Sequence, residues 1–382
     1  MSRPGSPDRI LHLHSTFNAG GKEVRSARLM NAFGKRFSHV IVSSEPHAFD
    51  ASKFISRAVS VSYQSDFPSL RGFPTLGRLS RIAKAMRGFD LVLTYNWGAM
   101  DAVMAHTLFC QPYKLPPLVH HEDGFNADEA VKLKASRNWF RRIALGRTAA
   151  LVVPSERLER IALDIWYQPR SRVQRIANGL PVGDYAQKPR ADVLPGLIKR
   201  SGELWLGSIA GLRAVKNLPR LVRAFSGLPD PWQLVIVGKG PEEQAIRAEA
   251  ERLGIGHRVH LPGFVEDPAK IVGLFDVFAL SSESEQFPLS VVEAMSAALP
   301  VASPDVGDVA AMVADENAPF IVPAGDEPAL ADAIERLAAN PALRRKIGAA
   351  NRARAAATFD EKAMIAAYRN LYESAISHGR WG

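Results

Sequence analysis

Two carboxylates stand eight positions apart in the segment Ser281–Glu293, SSESEQFPLSVVE. Glu285 falls in a strand-to-helix turn and can accept hydrogen bonds from sugar hydroxyls. Glu293, two turns into the following helix, can grip the vicinal hydroxyls of a ribose. Phe287-Pro288 opens that helix, so the backbone N–H groups of Leu289 and Ser290 are left to meet an anion. Near the start of the chain, Gly20 and Gly21 let the backbone approach a ligand and offer two N–H groups to phosphate or sugar oxygens. In Thr94–Asp101, TYNWGAMD, Trp97 beside Asn96 either offers an aromatic platform to a sugar or lipid, or packs beneath its own loop.

Groups so scattered in sequence need a frame that gathers loops, and the chain supplies alternating strand-like and helix-like segments. Short apolar runs occur at 9–14, 39–43, 90–94, 117–121 and 149–154, with helical stretches at 23–36, 75–87 and 128–147 between them. The pattern pauses at Asn178-Gly179-Leu180-Pro181 and a polar stretch to about Ser201. It restarts at 204–209, 233–237, 258–261, 277–280, 300–302 and 320–322. A sheet that restarts predicts two doubly wound α/β domains facing a cleft, residues 1–186 with a returning C-terminal helix at 359–382, and residues 187–358. Ligands of such sheets sit at the carboxyl ends of the strands, where the loops above fall. His12 and His14 alternate with Leu11 and Leu13 and read as packed core histidines rather than ligands.

The segment 281–303, with EQFPLSVVEAM followed by LPVAS, resembles the E-x7-E motif of the retaining glycosyltransferases with two Rossmann-like domains (the GT-B fold), most closely glycosyltransferase family 4. Gln286 and Pro288 stand where that family has glycines. The resemblance runs on through Gly20-Gly21-Lys22-Glu23, IANGLP at 176–181, LGSIAGLRAVKNL at 206–218, LVIVGKGP at 234–241 and VHLPGFV at 259–265. It implies that a UDP- or GDP-sugar is bound by the second domain through Gly211, Val265, Phe287, Pro288, Leu289 and Glu293, with the Val265 backbone reading the base, and by Gly20 and Gly21 of the first domain. It implies that Lys216 and Arg213 stabilise the departing diphosphate while Glu285 orients the sugar. The family often carries an arginine five positions before the lysine, and Gly211 occupies that place. In LVHHEDGFN at 118–126 the family's loop histidine falls on Asp123, or on His121 if the register slips by two. Asn96, Trp97, His121 and Asp123 would then meet the acceptor. The bland alternative is that Glu122 and Asp123 cap the helix opening at Asp128, and Glu23 is expected to serve its helix dipole.

The chain contains no D-x-D pair, so the expectation is metal-independent transfer, with no cofactor and the nucleotide-sugar as substrate. Two other classes stay open: a nucleotide-sugar 2-epimerase of the same architecture, and a non-catalytic sugar-binding scaffold. Composition bounds the partners. The 382 residues are 47% hydrophobic and 23% charged, which suits a globular protein and excludes disordered and fibrous classes. One cysteine, Cys110, excludes a disulfide framework and suits a reducing cytosol. No apolar run reaches the length of a membrane span and the first residues lack a secretory h-region, so the expected place is cytoplasmic, peripheral on the inner face of the plasma membrane. The net charge of +9 concentrates in two acid-free stretches, 67–89 (Arg71, Arg78, Arg81, Lys84, Arg87) and 131–147 (Lys132, Lys134, Arg137, Arg141, Arg142, Arg147). Both read as basic amphipathic helices that are either solvated faces or attracted to an anionic membrane. The acceptor is expected to be a glycan or lipid-linked, with no nucleic acid as partner.

Overall fold

The computed structural model describes residues 7–125, 127–129 and 132–381. It divides into two compact units, residues 1–178 with 363–382, and residues 179–362. In the first, seven parallel strands lie in the order β3-β2-β1-β4-β5-β6-β7: β1 Asp8–His14, β2 Phe37–Ser43, β3 Ser60–Tyr63, β4 Leu91–Tyr95, β5 Leu118–His121, β6 Ala150–Val153 and β7 Val173–Arg175. Helices α1 Gly21–Phe33, α2 Leu76–Ala85, α3 Met100–Tyr113, α4 Ala135–Ala144 and α5 Glu156–Asp164 accompany them. The second unit carries six parallel strands, β10-β9-β8-β11-β12-β13: β8 Leu204–Ile209, β9 Trp232–Val237, β10 Val259–Gly263, β11 Val277–Ala279, β12 Val301–Pro304 and β13 Ile321–Val322. Its helices are α6 Leu218–Phe225, α7 Glu243–Arg252, α8 Leu289–Ser296, α9 Val309–Met312, α10 Glu327–Ala339 and α11 Pro341–Thr358, and α12 Glu361–Trp381 closes the chain.

Parallel strands covered on both faces need apolar residues on both, which is why β4, LVLTY, is buried at every position. Each sheet reverses its winding direction once, at β1/β4 and at β8/β11. Crevices at such reversals are where open α/β sheets place ligands. The glycine pair Gly20-Gly21 follows β1 and Asn96 follows β4; the Arg213–Lys216 loop follows β8 and Glu285 follows β11. In the first unit α12 contributes Met364, Tyr368, Tyr372 and Ile376 to a core with Ile10, Leu29, Phe33, Leu91 and Val119.

Several expectations are corrected here. The chain leaves the first unit at Asn178, not 186, because Leu180 bridges Asp360 and residues 182–186 pack on α8. A Cβ on Gly179 would meet the Glu361 backbone at 2.8 Å, so the crossing needs glycine. Strands β3 and β7 carry no apolar run; they are sheet edges, polar and largely exposed. Of the helix expected at 128–147, the described residues form a 3-10 turn at Ala127–Glu129, whose Glu129 takes the Lys134 backbone N–H, and then α4; residues 130 and 131 lie outside the described residues. The stretch 67–89 is helical only over α2, capped by the Thr75 hydroxyl.

Candidate active site

In the second unit the loops after β8 and β9 lie backbone to backbone. Gly238 and Gly240, both at positive φ, let this happen: a Cβ would stand 1.8 Å from the Ala210 carbonyl oxygen and 2.2 Å from that of Leu212. Leu212 then donates its N–H to the Lys239 carbonyl at 3.0 Å, fixing the residue before Arg213. A 3-10 turn at Ala214–Lys216 ends on Asn217, at φ 42°. The loop after β11 clasps this turn: Glu283 donates its N–H to Val215 O at 2.8 Å and the Ser281 hydroxyl donates to Lys216 O at 2.9 Å. Lys216 Nζ consequently meets Glu285 Oε1 at 2.5 Å, and the Ser282 hydroxyl donates to the same oxygen at 2.7 Å. Both charged side chains are mostly buried, which strengthens the pair.

Gly307, at φ +62, admits the Glu285–Gln286 backbone; a Cβ there would stand 2.6 Å from Gln286 O. Helix α8 begins at Leu289 with Pro288 at its N-cap and no side-chain cap, so Phe287-Pro288 does open it. Phe287 packs edge-on against Phe359, and Glu293 sits half-buried in the second turn. Arg213 is exposed, and its Nε would lie 3.5 Å from a Cβ on Gly211, so the arginine folds over the glycine. Val265 follows β10, half-buried beside the exposed Phe264.

The first unit presents a different chemistry. Gly20 is the extended N-cap of α1, and a Cβ on it would meet the Glu23 carboxylate at 2.7 Å. Glu23 is buried there and pairs with Lys22. Burial pulls the Lys22 ammonium down to about 8, with Asp123 opposing and Arg25 reinforcing. Arg25 forks onto Asp123, Nη1 to Oδ1 at 2.5 Å and Nη2 to Oδ2 at 2.9 Å, and donates to Asn178 Oδ1 at 2.6 Å. Burial would raise the Asp123 carboxyl, yet the Arg25 charge and hydrogen bonds, with His121 and Lys22, outweigh it and hold the group below its usual value. Asp123 therefore stays ionised and can only accept hydrogen bonds.

The other acceptor-side expectations change. His121 is buried, with Nδ1 on Thr94 O and Nε2 on the Tyr372 hydroxyl, so it cannot reach a substrate. Asn96 does not point outward: its Oδ1 takes the Asp123 N–H at 2.7 Å. Trp97 is half-buried against Phe140, with the Arg137 and Arg141 guanidinium groups 4.8 and 4.9 Å over its ring, so it packs beneath the loop. Glu122 does not cap a helix but pairs with the fully buried Arg141. The second basic stretch is neutralised in part by the acids just before it. Asp128 holds Lys134 and Arg137, while Glu129 holds Arg137 and Arg141. Arg78 and Arg71 are likewise taken by Asp101 and Glu45. Lys22, Arg25, Ser282 and Gly307 were not visible as site residues. The only signal for Lys22 and Arg25 was their place just after the glycine pair. Among the described residues no group of three His, Cys, Asp or Glu side chains converges to hold a metal ion.

Residues 10–183 match the family described as Glycosyltransferase Family 4, and residues 195–354 the family Glycosyl transferases group 1. A phosphatidyl-myo-inositol mannosyltransferase of Mycobacterium leprae is 33% identical over 210 residues, 53% of this chain and 54% of that protein. A putative glycosyltransferase, EpsF of Bacillus subtilis, is 26% identical over 77% of this chain and 78% of its own length. Most of these alignments span about half the length of the relative. HepE of Anabaena, crystallised with UDP, superposes with a TM-score of 0.80 at 19% identity, over 96% of this chain and 100% of that one. Each of the two parallel Rossmann-like sheets thus coincides with one of these family matches, and together with the likeness to HepE they show the GT-B fold.

Proposed function

We propose that the chain moves a hexosyl group, with retention and without a metal ion, from a UDP- or GDP-sugar to a glycan or lipid-linked acceptor in cell-envelope polysaccharide or glycolipid synthesis. The observation that carries this is the Lys216–Glu285 pair, brought together from positions 69 apart at the winding reversal of the second sheet. A nucleotide-sugar bound there places its diphosphate against Lys216 and Arg213, whose charge grows in value as the leaving group departs. Arg213, folded over Gly211, puts a guanidinium above the place where the family carries its own arginine. Glu285 holds sugar hydroxyls, Glu293 the ribose, and the Val265 backbone the base. Asp123, ionised, accepts a hydroxyl of the acceptor or of the donor sugar, and the leaving diphosphate takes the acceptor's proton. The names of relatives acting on a phosphatidyl-inositol and on lipopolysaccharide core support a lipid-linked or glycan acceptor, and the HepE complexes with UDP and UDP-glucose favour a UDP-sugar.

Peripheral attachment to the inner face of an anionic plasma membrane belongs to the same proposal. Helices α2 and α4 both pack on α3, and around them Phe73, Leu76, Leu108, Trp139 and Ile143 are exposed among Arg81, Lys84, Arg87 and Arg147. Phe140 and Arg141 are turned inward and take no part. No described helix is long and apolar enough to cross a membrane. A thermal-shift panel of UDP-, GDP- and ADP-sugars, followed by transfer with and without chelator, tests the proposal. A donor should raise the melting temperature by mass action. No shift with any donor would overturn the activity, and a chelator loss restored by magnesium or manganese would overturn metal independence.

A further inference from the structure

We infer that Arg25 is a positioning residue for transfer: it holds Asp123 ionised and aimed, so that Asp123 acts only as an acceptor for a substrate hydroxyl. The inference rests on the role proposed for Asp123. Its ground is geometric. Both guanidinium arms of Arg25 are used on Asp123, a planar fork that lysine cannot reproduce. The fork is itself fixed from three directions. Nη1 also donates to Asn178 Oδ1, the Tyr368 ring lies 5.5 Å from the guanidinium carbon, and the Asp123 backbone is tied to Asn96. Arg25 is almost wholly buried, and Asp123 less so, with 13% of its side chain accessible. The carboxylate thus keeps an open edge while the arginine stays behind it, which suits a support rather than a substrate contact.

The charged and titratable groups around Asp123 are Lys22 and Arg25 from α1, His121 from β5, Tyr95 from β4, and Tyr368 and Tyr372 from α12. His121 is held neutral by burial, down to about 3, and the tyrosines are held protonated, so they supply no cation at neutral pH. Lys22 is pulled to about 8 and is already paired with Glu23. Arg25 is therefore the cation on which the ionisation of Asp123 depends. Without it, burial alone drives the carboxyl upward, toward protonation in the working range.

The test compares Arg25→Met, Arg25→Lys, Asp123→Asn and the Arg25→Met/Asp123→Asn double variant, reading nucleoside diphosphate release from the sugar nucleotide that gives the largest thermal shift. Arg25→Met should lower kcat roughly ten- to a hundredfold, leave the donor KM within about twofold, and acquire an acid limb on which turnover falls as pH falls. Asp123→Asn should lose rate without that limb, and Arg25→Lys should recover part of the rate. The double variant should be no slower than Asp123→Asn, because Arg25 acts through Asp123. A pH profile for Arg25→Met parallel to the wild type, or losses that multiply in the double variant, would overturn the inference. Full turnover in Asp123→Asn would instead sink the role of Asp123. Melting temperature against pH separates folding from chemistry. Relative to the Asp123→Asn counterpart, the wild type should lose stability as pH falls and Arg25→Met should lose it as pH rises. The same sign in both would also overturn the inference. If Arg25→Met does not fold, Arg25→Lys carries the test: it keeps the charge and loses the fork, so a severalfold kcat loss with an unchanged donor KM and no new acid limb is expected, and full turnover would overturn the inference.

Discussion

The two units share a strand order and differ in what they bury. The first buries six histidines, His12, His14, His39, His106, His120 and His121, and stacks several on Tyr95, with His14 at 4.0 Å and His121 at 4.7 Å between ring centroids. The second buries no histidine and instead closes β12 with two asparagines. Asn317 exchanges hydrogen bonds with the Val301 backbone, and Asn351 links Asn317, Leu299 O and the Ala314 N–H. Imidazoles satisfy buried polar positions only while neutral, whereas amides do so at any pH. One architecture thus tolerates two interiors, one lined with histidines in the first unit and one bonded through side-chain amides in the second.

Acid should break the comparison most strongly. Burial, the largest cause in each case, lowers His12, His14, His39, His106 and His121 in the folded unit, His39 to about 4 and His121 to about 3. Unfolded, each returns to about 6.5. Stability is therefore complete above that value and falls as pH drops below it, because the unfolded chain alone takes up the protons, at up to about 1.4 kcal/mol per pH unit for each histidine. Hydrogen exchange resolved by segment, at neutral pH and in mild acid, should show the first unit opening before the second. Simultaneous opening, or the second unit leading, would contradict this.

Lys216→Met should reduce turnover roughly a hundred- to a thousandfold, as loss of one charge-stabilising donor does, while leaving the acid transition of the first unit in place. Retention of most of the rate would remove the lysine from its assigned role. Glu293→Gln should weaken binding of the free nucleotide itself by about 1.5–3 kcal/mol, because a ribose contact exists with or without the sugar. Equal affinity by calorimetry would refute that contact. Asn351→Leu leaves the Ala314 N–H and Leu299 carbonyl short of a partner and should cost the second unit about 1–3 kcal/mol, independent of pH. The smallest effect per residue belongs to the first unit's surface. Changing Arg81, Lys84 and Arg147 to Gln should weaken flotation with anionic vesicles by about 1 kcal/mol per charge at low salt, and no preference for anionic over neutral vesicles would remove the membrane reading.

Five of the seven strands of the first sheet, the pause at 178–181 and all six strands of the second sheet follow from the sequence alone, because parallel strands buried on both faces must be written as apolar runs. Lys216 and Glu285, candidates because each follows such a run on the loop where a doubly wound sheet puts its ligands, do come within hydrogen-bonding reach of each other. What the tertiary structure decided concerns side chains whose partners are remote in sequence. Asp123 and His121 stand two residues apart and read as interchangeable, yet β5 ends at His121, which α12 buries under Tyr372, while Asp123, beyond the strand, meets Arg25, 98 positions away. The basic stretch at 131–147 looked like one free cationic face, but Arg141 turns inward to Glu122 and Glu129, since a guanidinium without water needs carboxylates around it. Local pattern determines which face a residue takes; only the packed fold determines which charge waits there.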